Sequence, residues 1–444
     1  MRPYRVLILV AIVISARALF VPVLPAHAQA AGSRPQRHVF PDGVVLITQE
    51  HRASDVVALQ VWFRVGGRDE APDELGLSHM LEHMLFKGTA TRPPGSIDRM
   101  IEGVGGQSNA FTSYDFTHFD VVLPADHAAE GIELLADIAV NATFDQTELD
   151  RERQVVLDEV RLTQDDPDRF LQRRLSEVAY APTPYGQPVL GTPEIIKGLT
   201  REQLARYYTK HYVPANMVLV VVGAVEPGQI RAVTERTFGR FTGSAPERAA
   251  MPLQPDPGGR VADIPRPEKQ AYLGMVWRAP SVAEEDVSAT DLLTYILGDS
   301  PSSRLNVGVR DRAGLVSTIE AGYVTRQFGG HVSVTARLDA ENLDKAERAV
   351  LAEVQRIQQE GVSEVERERA LVTAEANYAF DIETVEGLAR DYGQAETTWT
   401  LENELNYLPR LREITAGQMG AAARKYFGLT DYARVRFVPE AGGK

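Results

Sequence analysis

Two histidines and a glutamate in the first half of the chain have the types and spacing of a zinc site. They are His79, Glu82 and His83, in the order His-x-x-Glu-His. Apolar residues recur at helical spacing through DELGLSHMLEHMLFKG, which predicts an α-helix with the three side chains on one face. Two neutral imidazoles can bind one zinc ion while the carboxylate lies beside the water that the metal activates. The spacing therefore indicates a catalytic zinc site, although a helix that carries two histidines by chance has the same pattern.

A third ligand is expected downstream, because a catalytic zinc usually has three protein ligands and one open position. Glu152 and Glu159 are seven residues apart in RERQVVLDEV, which is two turns, and so one face, of a predicted helix. Taken alone, the same pair is typical of an ordinary solvent-exposed helix face. The residues by themselves leave the identity of the third ligand open.

Longer stretches of the chain carry a more specific resemblance. Together with HMLEH, the segments GGQSNAFTSYDFTHFD, PYGQPVLGTPEII, YYTKHYVPANMVLVVVG and SSRLNVGVRDRAGL resemble the pitrilysin/insulinase family of inverted-motif zinc peptidases. The resemblance covers about residues 38–440 and is to the short, two-domain type, which includes mitochondrial processing peptidase subunits and bacterial homologues. It implies an α+β fold of two homologous domains, each a mixed, mainly antiparallel β-sheet flanked by α-helices.

The resemblance also implies roles for the residues around the motif. It assigns one zinc ion per chain to His79, His83 and Glu159, because the family's third ligand follows the second histidine by about 76 residues, as Glu159 does. Glu82 is then the catalytic residue that activates water and passes the proton to the leaving amine. Glu152 is expected to support catalysis from outside the ligand set, by orienting a ligand and tuning the metal.

Asn109, Ala110 and Phe111 match the substrate-binding edge strand of the family. An extended peptide can add to a free sheet edge through main-chain hydrogen bonds, so these three residues are expected to bind a peptide substrate. Without the family, Asn109 is equally well interpreted as a residue that shapes the start of a strand.

The second half repeats the order of the first but lacks its metal residues. AYLGMVWRA echoes VALQVWFRV, and Asp291, Thr294 and Tyr295 stand where the two histidines and the glutamate stand in the first half. No second zinc is expected there, and the second half is expected to cover the site and confine the substrate.

One functional position of the family differs in this chain. The second half usually supplies an arginine and, seven residues later, a tyrosine, which are thought to hold the substrate carbonyl as it gains negative charge. RDRAGLVS keeps Arg310 but has Ser317 at the tyrosine position, and a short hydroxyl cannot reach where a phenol would. Losing one such donor costs about 2–4 kcal/mol of transition-state stabilisation. Arg310 alone could also be an ion-paired surface residue.

Ser317 leads to a hypothesis about partners. The chain is expected to be the metal-bearing subunit of a pair in which a homologous partner supplies the missing donor. A homodimer that tolerates Ser317 is the alternative.

The chain divides by composition into a leader and two domains. Residues 1–28 are predicted to be a signal peptide, because Arg2 and Arg5 precede the apolar run VLILVAIVIS and Ala26 and Ala28 form a cleavage signature. We expect export, to the periplasm of a Gram-negative bacterium, with a mitochondrial or other organelle address as the alternative. The predicted zinc-binding catalytic domain spans 35–242, a proline-rich linker 243–268, and the C-terminal domain 269–444.

Composition excludes several classes of function. The net charge of -14 argues against nucleic acid as a partner, and no segment after the leader is long and apolar enough for a stable membrane span. Without cysteine, any metal must be held by histidine and carboxylates. The leading interpretation is a metalloendopeptidase that hydrolyses peptides or unfolded segments in an enclosed chamber. A non-catalytic scaffold or a peptide-binding subunit of the same fold is the alternative.

Overall fold

The computed structural model describes residues 33–248 and 257–440. The predicted signal peptide, residues 1–28, and residues 249–256 of the predicted linker lie outside the described residues. Each half of the described chain is built on one mixed β-sheet with α-helices against it, so the predicted α+β class is confirmed. Among the described residues, none of the helices combines the length and the apolar character needed to cross a membrane.

The N-terminal half contains six strands in one sheet. The strands are β1 (Gln36–Val39), β2 (Val45–Glu50), β3 (Val56–Phe63), β4 (Gln107–Thr112), β5 (Thr117–Pro124) and β6 (Met217–Gly223). The helices are α1 (Leu77–Leu85), α2 (Ser96–Gly103), α3 (Ala128–Asn141), α4 (Gln146–Asp165), α5 (Pro167–Tyr180), α6 (Pro193–Gly198), α7 (Arg201–His211) and α8 (Pro227–Thr237). The strand order is β1-β2-β6-β3-β5-β4, with β2 and β6 parallel and the other pairs antiparallel.

The C-terminal half repeats this arrangement with five strands. They are β7 (Val261–Arg266), β8 (Ala271–Ala279), β9 (Thr318–Arg326), β10 (Gly329–Leu338) and β11 (Ala433–Pro439). The helices are α9 (Val287–Leu297), α10 (Leu343–Glu360), α11 (Glu364–Asp381), α12 (Val385–Thr398), α13 (Leu401–Leu405), α14 (Tyr407–Glu413) and α15 (Ala416–Tyr426). The order β7-β11-β8-β10-β9, with only β7 and β11 parallel, matches that of the first sheet without β1.

Each sheet is covered on one face by a helix from the other half. Helix α12 of the C-terminal half packs on β3 and β6 of the N-terminal sheet, where Leu388 and Tyr392 join a core cluster with Trp62. Helix α5 of the N-terminal half packs on the C-terminal sheet, where Leu175 contacts a cluster that includes Phe437. This exchange explains why every residue of β6 is buried, since a sheet covered on both faces needs apolar residues throughout.

The predicted domain limits therefore describe segments of the chain rather than separate packing units. Part of the predicted linker also folds, because Val261–Arg266 is strand β7. This strand lies at the sheet edge and alternates exposed and partly buried residues, and Pro265 is tolerated there because edge strands leave N–H groups unpaired.

Candidate metal centre

Helix α1 carries the three side chains of the motif, His79, Glu82 and His83. Its apolar residues Leu77, Met80 and Leu81 are buried in the main core, which fixes the rotation of the helix. The same rotation brings ligand atoms of the motif histidines and glutamate within 4.8 Å of one another. The motif therefore lies on a helix with its ligand atoms close together, as its spacing predicts.

The start of α1 is fixed by a carboxylate outside the helix. Glu70 is buried, and it accepts hydrogen bonds from the backbone N–H groups of Gly76 (2.8 Å) and Ser78 (2.7 Å). Gly76 has φ of 92°, a left-handed conformation that favours glycine. Burial raises the pKa of the Glu70 carboxyl to about 8, while the two N–H donors act in the opposite direction. No sequence pattern singles out Glu70, because its partners are backbone groups.

Helix α4 brings a third possible ligand to the two imidazoles. An oxygen of Glu159 lies 3.5 Å from Nε2 of His79 and 3.6 Å from Nε2 of His83. Two ligands on a tetrahedral zinc with bonds of about 2.0–2.2 Å are separated by roughly 3.4 Å. The donor set of two imidazole nitrogens and one carboxylate oxygen therefore fits a catalytic zinc ion, in both spacing and chemistry.

Glu152 lies two turns before Glu159 on α4 and contacts the ring nitrogen of His83 that does not face Glu159. Its two oxygens have different partners: Nδ1 of His83 donates to one at 2.9 Å, and Nζ of Lys87 lies 2.8 Å from the other. A histidine that donates through Nδ1 keeps its Nε2 lone pair for a metal. Lys87 was missed by the sequence analysis, although it lies one helical turn beyond His83.

The electrostatics of the cluster differ between its two histidines, because at His83 the contacts with Glu159 and Glu152 outweigh burial and raise the pKa. Burial, and then the neighbouring His83, lower the pKa of His79 to about 4, so this imidazole is neutral at pH 7. The neighbouring His83, with Nε2 3.6 Å away, lowers the pKa of Glu159, which is therefore ionised. Burial raises the pKa of Glu82, which brings it toward the range of a general base.

Two buried polar atoms of the motif have no hydrogen-bond partner among the described residues. They are Nδ1 of His79 and Oε2 of Glu82. Buried polar atoms are normally paired, so an unpaired carboxylate oxygen beside two imidazoles marks a place where a polar ligand fits.

The predicted substrate strand lies next to α1. Within the described residues, β4 pairs with β5 alone and leaves its outer edge free. Ala110 pairs with the core residue Phe119, while Asn109 is exposed and Phe111 keeps 53% of its surface exposed. The hydroxyl of Thr112, at the end of β4, faces Glu82 and opposes the rise of its pKa. The strand therefore runs directly to the motif.

The residues of the C-terminal half that correspond to the motif make ordinary hydrogen bonds within the fold. Asp291 is bonded to the hydroxyl of Tyr407 at 2.5 Å, and the hydroxyl of Thr294 donates to the Thr290 carbonyl at 2.9 Å. Among the described residues of the C-terminal half, no grouping of three histidine or acidic side chains is spaced for a metal ion.

Arg310 and Ser317 do not join the zinc site within this chain. The Arg310 side chain is partly exposed and bonds to Asp311 and Asn306, while the Ser317 hydroxyl donates to the Arg337 carbonyl at 3.0 Å. Tyr323 is bound by its hydroxyl to the Pro280 carbonyl at 2.7 Å and does not take the place of the missing tyrosine. No hydrogen bond or ion pair among the described residues connects these groups to the cluster on α1.

Two family models match consecutive parts of the chain. Residues 45–193, which include both α1 and α4, match "Insulinase (Peptidase family M16)". Residues 198–372 match "Peptidase M16 inactive domain". The chain belongs to the insulinase (M16) peptidase family. The second match agrees with the absence of metal residues from α9.

Relatives of this M16 chain are similar over most of their length. A zinc protease of Bacillus subtilis is 27% identical, with 91% of this chain and 98% of the relative covered. A probable mitochondrial-processing peptidase subunit beta of Arabidopsis thaliana is 26% identical, with 93% and 80% covered. The crystal structure of a protease from Helicobacter pylori has the same fold, with a TM-score of 0.85, 23% identity, and 91% and 100% of the chains covered.

Proposed function

We propose that the chain is a zinc metalloendopeptidase that cleaves peptides or unfolded segments. The observation that carries this proposal is one arrangement: His79, His83 and Glu159 converge at metal-ligand spacing beside a free sheet edge. The names of its relatives as zinc proteases and a processing peptidase support the same class of activity.

Each residue of the site has a distinct role in this proposal. His79, His83 and Glu159 would hold one zinc ion, which when bound supplies a Lewis acid that polarises the scissile carbonyl and acidifies water. Glu82 takes a proton from the attacking water and delivers it to the leaving amine. Glu152 keeps His83 in the tautomer that presents Nε2 to the site.

The free edge of β4 would bind the substrate backbone. Main-chain hydrogen bonds from Asn109, Ala110 and Phe111 hold an extended peptide irrespective of its sequence. Such binding requires an unfolded segment, because a folded protein does not present a free strand.

A partner subunit is part of the proposal. Ser317 is bonded to the sheet and Arg310 to its own neighbours, so neither is supplied to the α1 site by this chain. We propose that a homologous chain contributes the missing donor for the carbonyl oxygen, and the alternative is a homodimer that tolerates Ser317. We further propose that the predicted leader directs this assembly to the periplasm.

The test is cleavage of a quenched fluorescent peptide library by the chain from Gln29 onward. Chelator-sensitive cleavage that is lost in Glu82→Gln is expected, because removing a general base costs about 10²–10⁴-fold in rate. If Glu82→Gln cleaves as well as the parent, the proposed mechanism is wrong. If the isolated chain is as active as any reconstituted pair, the proposal that a partner subunit is required is wrong.

A further inference from the structure

A pocket beside the metal centre has a lining unlike that of the rest of the site. It has a volume of about 210 Å³ and lies between α4 and the loop 188–193. Most of its wall is apolar and comes from Val160, Pro188, Val189, Leu190 and Pro193. Thr163, which also lines the pocket, lies one turn after Glu159 on the same face of α4, and the backbone of Leu190 and Gly191 packs against Gly76 at the start of α1. The pocket is therefore close to the candidate metal centre.

The pocket also borders the turn that follows the substrate strand. Tyr114, two residues beyond the end of β4, forms part of its wall. The Tyr114 hydroxyl donates to the Gln187 carbonyl at 2.8 Å, and the Arg326 guanidinium lies 4.1 Å from the ring centroid. The phenol is thus held by the protein, and the ring contributes an apolar surface to the pocket. A peptide on β4 would pass its mouth.

Among the described residues that line this pocket, Arg173 alone carries a charge. Its nearest carboxylate is Glu177, one turn further along α5, with 4.0 Å between the closest nitrogen and oxygen. A lysine or arginine side chain entering the pocket would meet this guanidinium, and like charges brought together in this way are unfavourable.

We infer that this pocket selects a bulky apolar side chain of the bound peptide and rejects a basic one. The inference rests on the proposed peptidase function and adds the class of substrate to it. A cavity of about 150 Å³ with apolar walls is enough to bind benzene, so this pocket is large enough for a phenylalanine or leucine side chain. Arg173 is the specificity-determining residue, because its positive charge disfavours a basic substrate side chain and accepts an apolar or acidic one.

The experiment compares binding and cleavage of matched peptides. Fluorescent peptides carry a single Phe, Ala, Glu or Lys, moved along an otherwise constant background, and their affinity is measured for the zinc-loaded full chain with Glu82→Gln. We expect one position at which Phe binds at least about tenfold more tightly than Lys. Adding Arg173→Glu should reduce this Phe-to-Lys ratio several-fold by improving the binding of Lys.

Arg169→Glu is the matched control, because Arg169 lies one turn earlier on α5, has an exposed side chain and is outside the pocket. It makes the same charge change and should leave the ratio unchanged. Leu190→Trp, which fills the pocket, should weaken binding of the Phe peptide about tenfold and spare the Ala peptide. Equal ratios in the Arg173 and Arg169 variants, or no position that prefers Phe, would overturn the inference. If the peptides bind with this preference but the parent chain cleaves none of them, the proposed peptidase function fails and the pocket stands.

Discussion

Replacement of Glu152 by glutamine tests how the second carboxylate of α4 supports the metal centre. In the structure one oxygen accepts from Nδ1 of His83 at 2.9 Å, and the other lies 2.8 Å from Nζ of Lys87. Glutamine has one oxygen and one NH2 group, so it can accept from only one of these two donors. Its NH2 group would then face either the imidazole N–H or the ammonium, and the charge that favours the correct His83 tautomer would be lost.

We expect Glu152→Gln to bind zinc about 10- to 100-fold more weakly, which is the usual effect of removing a partner of a metal-bound histidine. That change corresponds to about 1.4–2.7 kcal/mol of binding free energy. Competition with a chromogenic zinc chelator at neutral pH measures it directly. Lys87→Met should have a smaller effect, because it leaves the His83 hydrogen bond in place.

Asp158→Asn is the control for Glu152→Gln. Asp158 lies on the same helix, is largely exposed and pairs with Arg161 at 2.9 Å, so its change removes the same charge without touching the site. A zinc affinity of Glu152→Gln that matches this control within about twofold would refute the role we give to Glu152, since at least tenfold is expected.

Two further predictions concern the fold. Gly393→Ala should lower the melting temperature, with a cost of about 1–3 kcal/mol, because a Cβ there would meet the Trp62 ring at 2.1 Å where α12 covers the N-terminal sheet. Gly417→Ala should not, because a Cβ there would meet the Thr415 hydroxyl at 3.8 Å, which is an ordinary van der Waals contact. Burial, and then Arg326, lower the pKa of His331 to about 3, so the unfolded chain takes up a proton below pH ~6.5 that the folded chain refuses. Stability measured by denaturant unfolding should fall between pH 6.5 and 5, with about 2 kcal/mol of the loss due to His331, and His331→Gln should show correspondingly less loss. Equal stability of both glycine variants, or equal pH profiles, would contradict these assignments.

The helix that bears the motif was predictable, and its surroundings were less so. Helical spacing alone places the side chains of His79, Glu82 and His83 on one face. Glu159 is different, because no local pattern relates it to His79 across 80 residues, and only the family resemblance selected it. Glu70 and Lys87 could not be selected from the sequence. The partners of Glu70 are backbone groups at the start of α1, and the partner of Lys87 is a side chain on another helix.

The exchange of helices between the halves could not be predicted either. The apolar face of α5 shows that the helix is buried, but it does not say against which sheet. The sequence around Pro265 has the composition of a linker. Because β7 is an exposed edge strand, it contains too few apolar residues to be recognised as a strand from the sequence.

The metal content of the purified chain and three variants tests the central claim most directly. Elemental analysis should find one zinc ion per chain in the parent and in Glu82→Gln, and little in His83→Ala and Glu159→Ala. That pattern would establish Glu159 as the third ligand and leave Glu82 free to act as the base. A parent chain without zinc, or a Glu159→Ala variant that retains it while Glu82→Gln loses it, would contradict the account.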